Sequence, residues 1–105
     1  MKTTETRHTV QTTLSINVEL LNTLRLLANI NEMHVSDYIN QCALDKCRQE
    51  QHGTIIYQTN RQWKPTRKIQ IRLNRFVWEF LEMRALNKSR FINDAINERY
   101  YPSEP

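Results

Sequence analysis

The sequence predicts a mainly α fold with short β segments, built from one strand–helix–helix unit used twice. Three observations carry this. Polar and apolar residues alternate over 10–16 (VQTTLSI) and again over 68–73 (KIQIRL), the period of a half-buried strand. Each run closes on an asparagine, Asn17 or Asn74, suited to cap a following helix. The two stretches also align: Leu14, Ile16, Asn17, Leu20, Leu24 and Ala28 match Ile71, Leu73, Asn74, Val77, Leu81 and Ala85 at a constant offset of 57.

Residues 1–9 read as a disordered polar arm. In the first strand Thr12, Leu14 and Ile16 share one face, and Gln11, Thr13 and Ser15 share the other. A helix from Val18 carries Glu19 in its first turn, where a negative charge meets the positive helix end. Its stripe is Leu20, Leu21, Leu24, Leu27 and Ala28, and the pattern loosens over 29–32. A second helix opens near His34–Ser36 and runs to about Gln49, with Val35, Tyr38, Ile39, Cys42 and Ala43 inward. Residues 10–49 thus form the first unit, and 50–66 a linker containing the chain's one glycine, Gly53. TIIYQTN (54–60) has strand composition without an evident partner, and Trp63 could cover the core or meet a partner. Pro65 disfavours helix at Lys64.

The second unit spans 67–101, with 102–105 as a tail. Ile69, Ile71 and Leu73 alternate with Lys68, Gln70 and Arg72. Val77, Trp78, Leu81 and Ala85 form one helical stripe. A last helix over 87–101 turns Phe91, Ile92, Ala95 and Ile96 inward. Ser36, Ile39 and Asn40 match Ser89, Ile92 and Asn93 at an offset of 53, so the second unit lacks four residues between its helices. Four residues are about one helical turn, which a helix can lose while keeping its stripe nearly in phase.

Composition narrows the function. With 105 residues, 39% of them apolar, the core is modest, and one unit alone would be hard to stabilise. Residues 1–52 carry five basic and six acidic side chains, and residues 53–105 carry ten and five, so the net +4 lies in the second half. That balance fits a polyanionic partner. No apolar run reaches the ~18–20 residues that span a bilayer, and MKTTETRHT has no apolar signal segment. A cytoplasmic protein with reduced Cys42 and Cys47 is expected. His34, Cys42, Cys47 and His52 match no common zinc spacing. There is no acid–base constellation or glycine-rich phosphate loop, so neither an enzyme nor a cofactor or metal is expected.

KIQIRLN followed by NKSRFINDAI, with the same order earlier in the chain, resembles the ribbon-helix-helix family of DNA-binding proteins (Arc, MetJ and CopG type). Two copies in one chain resemble its tandem, TraY-like members. The likeness covers residues 10–48 and 67–100. It implies a mainly α fold with a short β-ribbon: two strands paired antiparallel and packed on four helices. Pairing within one chain would give an intramolecular pseudo-dimer, and a homodimer using both copies in trans is the alternative.

The resemblance also implies a site. The ribbon would enter the major groove of double-stranded DNA, with Lys68, Gln70 and Arg72 and, opposite, Gln11, Thr13 and Ser15 reading bases. The start of each second helix would clamp a phosphate, through Val35 and Ser36 in the first unit and Asn87, Lys88, Ser89 and Arg90 in the second. Asp37 opposes the first clamp. Arg67 is a further candidate phosphate contact. The function implied is operator occupancy by a transcriptional repressor, with further copies of the protein on adjacent half-sites. Two alternatives share parts of this surface: a relaxosome or plasmid-maintenance accessory protein, and an antitoxin-like module bound to a small protein.

Overall fold

The computed structural model describes residues 8–51 and 62–101. The element order is β1 (Thr9–Asn17), α1 (Val18–Asn31), α2 (Val35–Gln51), β2 (Thr66–Asn74), α3 (Arg75–Met83) and α4 (Lys88–Tyr100). The fold is mainly helical, and its two strands form one antiparallel sheet. Residues 1–7, most of the expected arm, and the TIIYQTN segment lie outside the described residues.

The asparagines make the strand-to-helix junctions. Asn17 Oδ1 accepts the N–H groups of Glu19 (3.0 Å) and Leu20 (3.1 Å). Asn74 Oδ1 accepts those of Phe76 (2.8 Å) and Val77 (3.3 Å). Each cap satisfies amides that have no partner inside their helix. Helix α1 ends where Glu32 takes a left-handed conformation (φ 55°).

The register runs from Thr9 opposite Asn74 to Asn17 opposite Thr66, and its centre is Thr13 opposite Gln70. Thr13 and Gln70 are equivalent positions of the repeat. Residues directly opposite share a face of the sheet. Leu14, Ile16, Ile71 and Leu73 are therefore buried together against the helices, while Gln11, Thr13, Lys68, Gln70 and Arg72 are exposed. The core continues through Leu20, Leu24, Ile39, Val77, Leu81, Phe91, Ile92 and Ile96, all almost fully buried.

Paired contacts tie the two units together. Asn93 of α4 accepts the Asn17 N–H (2.8 Å) and donates to the carbonyls of Ser15 and Ser89 (both 2.8 Å). Asn40 of α2 accepts the Asn74 N–H (2.7 Å) and donates to the carbonyls of Arg72 and Ser36 (both 3.0 Å). Each second helix thereby holds the end of the other unit's strand. The Val18 N–H reaches Pro65 O at 3.0 Å, and the Arg75 N–H reaches His8 O at 2.8 Å. Between α2 and α4, Lys46 meets Glu98 and Arg99 meets Asp45, both at 2.6 Å. These two ion pairs also occupy equivalent positions at the offset of 53.

Several boundaries differ from the sequence reading. Strand β1 begins at Thr9, inside the expected arm, and β2 begins at Thr66, inside the expected linker. Each strand pairs along its full length, so the ladder extends past the alternating core. Helix α1 persists to Asn31 through the loosened pattern. Ala85 leaves the predicted stripe: α3 stops at Met83, and Ala85 lies exposed in the turn with φ 52°. The missing residues come out of the end of this helix, so its last turn has no counterpart to that of α1. Trp63 covers the core, 8% exposed, with its Nε1–H donating to Asp94 Oδ1 at 3.0 Å.

Candidate nucleic-acid interface

The outer face of the sheet presents three cross-strand rows. Gln11 lies opposite Arg72, Thr13 opposite Gln70, and Ser15 opposite Lys68. All are exposed except Ser15, which is half-buried. The strand period, with the inner faces packed on helices, fixes these six side chains on one surface. One contact crosses it, from Gln11 Nε2 to Gln70 Oε1 at 3.4 Å. Each end of the face carries one long cation beside a neutral side chain: Arg72 with Gln11, and Lys68 with Ser15.

Each end is flanked by the start of a second helix. Helix α2 approaches β2 through the Asn40–Arg72 bond, and Val35 and Ser36 at its start are half-buried. Helix α4 approaches β1, where Ser89 Oγ accepts the Ser15 N–H at 2.9 Å. Orphan amides and the helix dipole make such starts favourable for anions.

The candidate phosphate contacts of the second unit are partly engaged. Asn87 Oδ1 caps α4 by accepting the Arg90 N–H at 2.9 Å. The Ser89 hydroxyl holds the strand, as above. Lys88 is ion-paired with Glu82, and its Nζ lies 5.2 Å from the centre of the Trp78 ring. The pair spans six positions across the turn, so the helical i, i+4 rule does not reveal it. Arg90 is half-buried, and Arg67 is exposed beside the Lys68 end. Near the first clamp, Asp37 Oδ2 accepts the His34 N–H at 3.1 Å.

Three residues with a place at this surface escaped the sequence reading. Arg25, on the exposed side of α1, lines a groove together with His34, Gln11 and Arg72. Asn40 and Asn93 had been matched only as repeat positions, yet they fix the strand ends that carry the outer face.

Away from this surface, Cys42 and Cys47 are buried and form no disulfide. Burial pushes the Cys42 thiol from 9.0 up to about 11, against the Arg99 guanidinium, which pulls it down. Among the described residues, no group of three or more His, Cys, Asp or Glu side chains could hold a metal ion, and no helix is long and apolar enough to cross a membrane. No family model, curated protein or solved structure matches the chain.

Proposed function

We propose that this chain is a tandem ribbon-helix-helix protein, folded as an intramolecular pseudo-dimer, that binds double-stranded DNA sequence-specifically through its β-ribbon. One observation carries the reading. An antiparallel ribbon centred on equivalent residues turns Lys68, Gln70 and Arg72, with Gln11, Thr13 and Ser15, away from the core on one accessible face.

A two-stranded ribbon fits the major groove of B-DNA, which is about 12 Å wide. Arg72 and Lys68 suit guanine O6 and N7, and Gln11 and Gln70 suit adenine N6 and N7. Thr13 and Ser15 bond either edge with less discrimination. The starts of α2 and α4 contact phosphates on either side and set the register, which specifies no base by itself. The role that fits is occupancy of an operator, hence repression. Equivalent positions carry unlike side chains, Gln11 against Lys68 and Ser15 against Arg72, so the preferred site is an imperfect palindrome.

The test is selection of binding sites from random duplex DNA, read by sequencing, with solution mass measured with and without the selected site. A short, imperfectly palindromic consensus bound by single-chain units is expected. Arg72→Ala then costs about 1–3 kcal/mol on that site and relaxes preference at one end only. Retention of all sequences alike would remove base reading from the account. Stoichiometric capture of a small protein with no DNA consensus would favour the antitoxin-like alternative.

A further inference from the structure

The ribbon is nearly two-fold in its backbone contacts, but its flanks are not. Beside the Arg72 end lies an open groove of about 490 Å³ lined by Gln11, Leu21, Arg25, His34, Val35 and Arg72 among others. Arg25 is exposed, and among the described residues no hydrogen bond or ion pair is found for its guanidinium. Asp37, the acid at the start of α2, is not among the residues lining this groove. Asp37 lines a separate depression with Met33 and Leu44, and its carboxylate holds the His34 N–H.

The second unit fills the matching positions differently. Leu21, Arg25 and Val35 correspond to Trp78, Glu82 and Lys88. Lys88 joins the other two: it lies over the Trp78 ring and is ion-paired with Glu82. At these positions the first unit offers a groove with an available guanidinium and the second an ion-paired cluster containing a carboxylate; Arg90 and Lys64 line a separate depression beside Ser15 and Ser89. A phosphate approaching that cluster meets Glu82 as a like charge, and Lys88 must give up two partners to reach it.

We propose that Arg25 holds a backbone phosphate in the groove beside Arg72, a contact that the flank beside Ser15 and Lys68 lacks because Glu82 stands at the matching position. The guanidinium fork matches two phosphate oxygens, which a surface ammonium already paired with Glu82 does not. This rests on the DNA-binding reading above.

The experiment is phosphate-ethylation interference on the selected site, with the Arg72 half identified by the bases whose preference relaxes in Arg72→Ala. For the wild-type chain, interference is expected at a phosphate flanking the Arg72 half whose counterpart in the other half gives none. Arg25→Ala is expected to erase that signal alone and to reduce the slope of log affinity against log salt by about 1. Lys88→Ala is expected to change that slope less. Glu82→Gln, which frees Lys88, is expected to add a signal at the matching phosphate of the other half and to steepen the slope. Equal interference on both halves of the wild type, or an Arg25→Ala effect spread over both, would overturn the proposal while leaving DNA binding in place. Absence of any DNA binding by the wild-type chain would instead remove the reading beneath it. A thermal melt of each variant separates these outcomes from loss of fold.

Discussion

Helix α1 runs for 14 residues and α3 for 9, yet each leaves an asparagine-capped strand and leads to a second helix that reaches across to the other unit. Comparing the two units shows which parts of the plan are constrained. The cross-over bonds of Asn40 and Asn93, the two strand-end carbonyls and the two α2–α4 ion pairs appear in both units. The amide bonds among them serve backbone groups that would otherwise lie unpartnered at the ends of a two-stranded sheet. The units diverge where solvent can do the work instead: in the length of the first helix and in Arg25 against Glu82. Symmetry is kept where backbone groups need partners and relaxed at the rim.

The comparison breaks first at the asparagines. Asn93 is 1% exposed, whereas Asn40 is only half-buried. Asn93→Ala leaves the buried Asn17 amide without its acceptor and takes a donor from the Ser15 carbonyl, so a loss of about 2–3 kcal/mol is expected. Asn40→Ala admits water and should cost about 1 kcal/mol. Urea denaturation of the two variants measures the difference, and equal losses would mean that the two cross-overs are equally buried in solution.

The ion pairs sharpen it next. Lys46 is 5% exposed and its partner Glu98 45%, whereas Asp45 and Arg99 are both 41% exposed. Removing the partner of a nearly buried ammonium costs more than removing that of a solvated one. Glu98→Gln is expected to lower stability by about 1–2 kcal/mol and Asp45→Asn by less than about 0.5 kcal/mol. Reversal of that order in denaturation midpoints would place the seam differently.

The smallest effect at neutral pH is at Cys42, whose counterpart in the second unit is Ala95. Its folded-state pKa is raised from 9.0 to about 11, chiefly by burial. The unfolded thiol ionises first, so its contribution to stability is complete below pH 9 and is lost as pH rises toward 11. A stability profile over that range should slope downward more steeply for the wild type than for Cys42→Ala. Parallel profiles would remove Cys42 as the cause.

Much of this was legible in the chain. Alternation in VQTTLSI and KIQIRL set the two strand faces, and Asn17 and Asn74 marked both junctions, because period and capping are local properties. Less legible were features requiring two distant segments. Matching Ala28 to Ala85 by letter put Ala85 on a helix that ends before reaching it, because the offset of 57 holds only up to the deleted turn. Nothing local marks Asn40 or Asn93 as strand clamps, since each looks like a polar residue within a helix. Lys88 and Glu82 meet only because the turn after α3 folds back. Arg25 reads as an ordinary surface charge until α2 and β2 build a groove beside it.

At the centre of the account is the claim that the ribbon's outer face touches base edges. A double-mutant cycle measures it: wild type and Arg72→Ala, each bound to the selected site and to versions with 7-deazaguanine at single guanines. The account predicts that one guanine loses affinity on deaza substitution only when Arg72 is present, with a coupling of about 1–3 kcal/mol. Additive losses at every guanine would contradict it.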